Sequence, residues 1–165
     1  SDGYVKITGR IKELYVSSGG KNIAPLVIEE TMKSIPMVSQ CMLIGDGRKY
    51  CSALFTLDVG AILRDKHGMD PAKIPKDPTV QISTLESFGK TLADYTDSEE
   101  IHAEMQAQVT ELNGQFSNPE QIKKFKILPR DLNVDFGELT PTLKIRRIQI
   151  RENWAAEIEA MYEGA

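Results

Sequence analysis

The residues with the clearest chemical content are Thr140-Pro141-Thr142-Leu143-Lys144-Ile145-Arg146-Arg147. Pro141 stiffens a turn, two threonines bring hydroxyls, and Lys144 stands at the tip. A lysine held there is a compact point charge on a flexible stem, suited to an anionic phosphate or carboxylate. Leu143 and Ile145 on either side are expected to bury the turn while Lys144 points out. Arg146, Arg147 and Arg151 read as a solvated basic face. A second pattern is Thr8–Glu30, TGRIKELYVSSGGKNIAPLVIEE. Its loop Ser17-Ser18-Gly19-Gly20-Lys21-Asn22 reads as mobile. The paired glycines let the backbone take positive φ and let a ligand or another chain come close. Lys21 adds a cation, and Arg10 offers a planar fork of donors for hydroxyls or carboxylates.

Other reactive side chains lack a setting. His67 and His102 stand apart, in neither a nucleophile nor a metal pattern, and read as surface residues. Ser17 and Ser18 lack the Gly-x-Ser-x-Gly context of an activated hydroxyl. Cys41 and Cys51 lie in consecutive apolar runs with no CxxC spacing or nearby His pair, so both read as reduced core residues.

Several elements must position these groups. Tyr4–Ile7 and Leu14–Val16 are short β-rich runs that could pair as a hairpin. Pro25 suits the first turn of a helix, where its missing N–H would be unpaired anyway. Glu29 and Glu30 follow on the side favoured by the helix dipole, and Ile28, Met32 and Ile35 recur at helical spacing until Pro36. The runs Val38–Ile44 and Tyr50–Leu57 flank turn chemistry and predict a hairpin. A short helix is expected at Val59–Lys66, closed by Gly68, and a proline-rich connection at Met69–Thr79. Ser83–Glu86 reads as a capping box for a helix carrying Leu85, Phe88 and Leu92. A second capping pattern at Thr96–Glu99 opens the cleanest amphipathic helix, with Ile101, Met105, Val109, Leu112 and Phe116 on one stripe. Ile122–Leu128 predicts a strand ended by Pro129, Leu132–Phe136 an extended half-buried path, and Ile150–Met161 a closing helix. Strands and helices mix without regular βαβ alternation, so the fold class is α+β.

The 165-residue chain is long enough for one domain with its own core. Its net charge of −4 argues against a general nucleic-acid binder. No apolar run approaches the roughly 20 residues that span a bilayer. Ser1-Asp2-Gly3 looks like a cut inside a longer protein.

The wording Gly9–Glu30 resembles the start of the C-terminal domain of adenylate-forming enzymes, most closely the long-chain acyl-CoA synthetases of the bubblegum-type branch. A second match at Gly137–Arg147 (GELTPTLKIRR) is similar to the same branch. Thr142-Leu143 stands where many relatives carry Ser-Gly, a difference shared with the long-chain branch. The resemblance implies a small α+β lid domain, residues 1–165, with short hairpins or a three-stranded sheet packed by helices. The N-terminal domain of the same enzyme would hold most of ATP and Mg2+. By that resemblance Lys144 bridges carboxylate and nucleotide during adenylation, and Arg10 contacts ribose. Lys12 is the hinge, and Gly19, Gly20 and Lys21 line the CoA tunnel. The implied activity is ATP-dependent fatty acid–CoA ligation, cytoplasmic or peripheral at a membrane, with the isolated domain inactive. The alternatives are a lid serving a different acceptor, and a non-enzymatic domain whose Ser98–Phe116 helix docks a partner.

Overall fold

The computed structural model describes residues 14–163. The expectations for Tyr4–Ile7, Arg10 and Lys12 lie outside the described residues. Strand β1 (Tyr15–Val16) pairs with β2 (Asn22–Ile23) as a small antiparallel hairpin, followed by helix α1 (Pro25–Met32) with proline at its first position. Then come β3 (Val38–Ile44), β4 (Cys51–Leu57) and α2 (Val59–His67), which ends at Gly68 in the left-handed conformation. Helices α3 (Pro78–Ser87), α4 (Ala93–Thr96) and α5 (Glu99–Asn113) lead to β5 (Ile122–Ile127). Two short helices, α6 (Arg147–Asn153) and α7 (Ala155–Tyr162), end the described chain.

The main sheet has the order β3-β4-β5, with β4 antiparallel to β3 and parallel to β5. All seven residues of β4 are buried, because helices cover both faces of the strand. Side chains alternate between those faces with the period of two that a strand imposes. Cys41, Leu43, Phe55 and Leu57 enter one core with residues of α1, α2 and α5. Met42, Ile44 and Leu54 enter the other with Leu139, Ile150, Trp154 and Ile158. The two polar side chains that β4 buries are satisfied. The Ser52 hydroxyl donates to Tyr162 Oη at 2.9 Å, and Thr56 Oγ1 donates to Asp131 at 2.6 Å. On β5, Lys123, Lys124 and Lys126 are exposed while Ile122, Phe125 and Ile127 point inward.

Several expectations are corrected. The capping box at Ser83–Glu86 does not form. Helix α3 starts six residues earlier, where Asp77 accepts from the Thr79 N–H and Pro78 takes the first position, and it stops before Gly89, whose φ is +78°. Residues 133–137 turn instead of running extended, and Val134 and Phe136 are exposed. The closing helix is broken at Trp154, whose backbone leaves helical geometry and whose indole donates to Glu138. His67 is half-buried, stacked on Phe88 with its Nε2 2.5 Å from Tyr95 Oη. Cys41 and Cys51 are free and buried, as read from the spacing.

Helix α5 is a core element and not a docking face. Ile101, Met105 and Val109 are buried against the sheet, and the Ser98 hydroxyl caps the helix by accepting from the Ile101 N–H. Met105→Ala is expected to cost about 2–5 kcal/mol of stability, and Ser98→Ala about 1 kcal/mol, in denaturant titrations followed by circular dichroism. A partner-docking helix would lose little from the methionine truncation.

Candidate functional site

Lys144 sits in a tight hairpin. Leu139 and Ile145 form an antiparallel bridge, with Thr140 to Lys144 between them. The Leu143 N–H donates to the Thr140 carbonyl at 2.7 Å, closing a turn with Pro141 at its second position. The Thr140 N–H donates to the Lys144 carbonyl at 2.8 Å, and the Lys144 N–H to Thr140 Oγ1 at 3.1 Å. Leu143 has φ of 65°, the one non-glycine residue at positive φ among the described residues. A type I turn followed by a left-handed residue is the usual three-residue hairpin loop, and glycine normally fills that last position. Leucine there costs about 1 kcal/mol. The expectation that Leu143 buries the turn is corrected: its side chain is 62% exposed. Ile145 does pack, against the second core.

Both feet of this hairpin are fixed by buried charge. On the first, Glu138 is fully buried and receives both guanidinium arms of Arg130 at 2.7 and 2.9 Å. Trp154 Nε1 and Asn153 Nδ2 donate to its Oε2 at 2.9 and 3.0 Å. Burial pushes this carboxyl up, but the hydrogen bonds from Arg130 and Asn153 and the Arg130 charge outweigh it and hold the pKa below 4.5. On the second foot, Arg147 is not part of a solvated face, as its sequence context suggested. Its side chain is 9% exposed and grips Glu29 of α1 through Nη1 at 2.5 Å and Nη2 at 2.8 Å. Arg147 also donates to Tyr15 Oη at 3.1 Å, and that hydroxyl donates to the Leu43 carbonyl at 2.8 Å. Glu29 Oε2 accepts the Leu43 N–H as well. The Tyr15 hydroxyl is pushed up to about 12, by burial first, with Arg147 opposing.

Glu29 therefore points inward and not along the helix dipole as expected. One signal could have found it: Pro25, Ile28, Glu29 and Met32 share the apolar face of α1 at i, i+3, i+4 and i+7. For Glu138, flanked by Gly137 and Leu139, no local signal exists.

The result is an open cleft of about 360 Å³ between α1, the start of β3 and the hairpin. Leu26, Leu143 and Ile145 give it apolar wall, and Lys33 and Lys144 give it cations. Lys33 lies 3.7 Å from Glu30, and Glu29 is engaged by Arg147. Lys144 is exposed and has no ion-pair partner among the described residues. Such a group can accept a carboxylate or phosphate without breaking a bond it already makes.

Gly19, Gly20 and Lys21 lie elsewhere. In place of a mobile loop, Ser17–Lys21 closes the β1–β2 hairpin, with the Ser17 N–H donating to the Lys21 carbonyl at 2.9 Å. The tip is seated on the β3–β4 turn: Ser18 N–H donates to the Arg48 carbonyl, Gly47 N–H to the Val16 carbonyl and Val16 N–H to Asp46 Oδ1. Gly20 has φ of +83° and requires glycine. Gly19 does not, since an added Cβ would meet nothing nearer than Ser17 Oγ at 3.9 Å. The hairpin thus borders the Gly45 end of β3, and Lys144 borders Gln40 and Cys41. About 13 Å of strand separates the two ends, so the structure does not bring these candidates together.

Removing one member of the Glu29–Arg147 pair leaves a buried charge uncompensated. Glu29→Gln or Arg147→Met is expected to cost about 3–5 kcal/mol, and the double variant less than the sum, in matched denaturant titrations. For Glu138 the folded pKa is depressed, so its contribution is full above 4.5 and is lost as pH falls through the folded value. The thermal midpoint should drop in that acid window, and Glu138→Gln should flatten the profile there.

Residues 12–73 match the family model described as the AMP-binding enzyme C-terminal domain. The chain is 37% identical over 161 residues to the long-chain-fatty-acid–CoA ligase FadD15 of Mycobacterium tuberculosis, an alignment covering 98% of this chain and 24% of that protein. It is 32% identical to the long-chain-fatty-acid–CoA ligase ACSBG1 of Homo sapiens, covering 99% of this chain and 23% of that protein. The chain thus spans about a quarter of the length of these curated relatives. Its fold resembles the adenylation domain of a carboxylic acid reductase from Segniliparus rugosus, with a TM-score of 0.64, 18% identity, and 93% of this chain against 20% of that one. With the family model and two relatives aligned along nearly all of this chain in agreement, the chain belongs to the C-terminal domains of AMP-binding enzymes, and those two relatives are long-chain fatty acid–CoA ligases.

Proposed function

We propose that this chain is the lid of an ATP-dependent long-chain fatty acid–CoA ligase, working with an N-terminal domain of the same enzyme. The observation that carries this reading is Lys144 at the head of a hairpin pinned at both feet, its ammonium exposed on a cleft and unpaired among the described residues. In the first half-reaction a fatty carboxylate oxygen attacks the α-phosphorus of ATP and the bond to pyrophosphate breaks, giving acyl-AMP. Negative charge moves from the carboxylate through the phosphoryl group, and a fixed cation beside both stabilises it. In the second half-reaction the CoA thiol sulfur attacks the acyl carbonyl and AMP leaves.

Lys144 serves the first step in this reading, and the Gly19–Lys21 tip serves the second after the lid rotates about Lys12. Gly19 supports that assignment, because the fold places no demand of its own for glycine there. A missing side chain lets the thin pantetheine arm lie against the backbone, and Lys21 offers its charge to CoA phosphates. Arg10 is assigned to the ribose hydroxyls. Among the described residues no group of three or more His, Cys, Asp or Glu could hold a metal ion. By the family resemblance Mg2+ is assigned to the N-terminal domain, and no step is routed through it here. The enzyme is placed in the cytoplasm or peripherally at a membrane. No helix among the described residues is long and apolar enough to cross one.

In the full-length enzyme, Lys144→Ala should lower pyrophosphate release by roughly 10²–10³-fold and affect thioester formation from supplied acyl-AMP far less. Equal loss in both half-reactions counts against the role. Gly20→Ala should cost about 1 kcal/mol through backbone strain, whereas Gly19→Ala should leave the unfolding midpoint unchanged and slow thioester formation selectively. The 165-residue chain alone should form no acyl-CoA from fatty acid, ATP and CoA, and turnover by the purified chain would overturn the division of labour.

A further inference from the structure

Leu143 is poorly explained by the domain that contains it. Its backbone holds the left-handed position that a hairpin of this kind normally gives to glycine. A strained backbone persists where the surrounding structure over-determines it, and such positions cluster at functional sites. Here the hydrogen bonds of Thr140 to both Leu143 and Lys144 do the over-determining. Strain is often compensated by burial, but this leucine is 62% exposed and lines the cleft beside Lys144. Ile148, just past the hairpin's second foot, is 70% exposed. Leu143 therefore stands exposed beside the one described cation that the cleft leaves without an ion pair, with a second exposed apolar residue four positions beyond Lys144 in the chain.

We propose that Leu143 is a positioning residue for the adenylation step, its side chain packing on an apolar wall of the N-terminal domain so that the Lys144 ammonium is held at the reacting carboxylate. The inference rests on the ligase reading above. Its occupant is argued from chain length: the alignments that take in 98–99% of this chain leave about three-quarters of each relative outside it. An apolar side chain left mostly exposed by this domain is accounted for if the rest of the enzyme closes over it. Leucine at the left-handed position also aims its carbon away from the hairpin's own core, where glycine would present nothing.

The test uses the full-length enzyme and measures pyrophosphate release, thioester formation from supplied acyl-AMP, and the thermal midpoint. Leu143→Gly relieves backbone strain, so the midpoint should hold or rise. Pyrophosphate release should nevertheless lose roughly tenfold or more in kcat, the range that loss of one buried leucine contact brings, with KM for ATP and for fatty acid little changed. Thioester formation should stay within about twofold and Leu143→Met should restore most of the rate, since apolar volume is what the contact needs. Full adenylation by Leu143→Gly, alongside a crippled Lys144→Ala, would overturn this inference alone. A fall in midpoint with parallel loss of both half-reactions would also overturn it, marking Leu143 as structural. Adenylation surviving in Lys144→Ala would overturn the role assigned to Lys144 in the ligase reading, and this inference with it.

Discussion

The structure depends on a buried ion pair that ties four elements at one point. Arg147 opens α6 and closes on Glu29 of α1; Arg147 also donates to Tyr15 of β1, Glu29 accepts the Leu43 N–H of β3, and Tyr15 donates to the Leu43 carbonyl. Two opposite charges removed from water offset their desolvation only with good geometry and with their remaining hydrogen-bonding capacity filled. Here the guanidinium grips the carboxylate through two arms, and both groups make further contacts. Such a pair tolerates little displacement. The hairpin that ends at Arg147 is accordingly fixed relative to the sheet, and so is the lysine it carries.

The other foot follows the same logic. Glu138 sits in the second core with four polar side-chain contacts from three residues, and one of them, Trp154, is also a large apolar member of that core. Arg130 lies over the Phe136 and Trp154 rings, so its charge is partly screened from water by aromatic faces. Between two such anchors a short loop has little freedom, which is what positioning a reacting charge requires. Thus the buried polar groups of this domain bear on function even though none of them is assigned a contact with substrate.

Sequence periodicity revealed the elements more readily than it revealed their charged interior. The β3–β4 hairpin, the Pro25 helix start, the Gly68 stop and the α5 stripe are local patterns, and the structure contains all four. Helix α3 starts at Asp77-Pro78, within a stretch whose three prolines read as a connection, so its first turns are hidden by composition. Lys144 was legible through its turn chemistry and the family resemblance, while the partners that hold its hairpin were not. Arg147 and Glu29 are 118 residues apart in sequence, so neither context announces the other. An arginine beside another arginine looks solvated until a distant carboxylate is known to wait beneath it. The glycine pair divides for a similar reason: backbone geometry requires Gly20, and nothing inside the domain requires Gly19.

The outward lysines of β5 have a consequence of their own. A three-stranded sheet ends in strands whose outer backbone groups lack a neighbour within the sheet, and among the described residues β5 is one of those borders. Such a border invites annealing with a second molecule. Lys123, Lys124 and Lys126 set three ammonium groups along it, so two molecules approaching border to border would meet mutual repulsion before their backbones could join. The same six residues thus seal the core on one side and guard against fibrous self-association on the other.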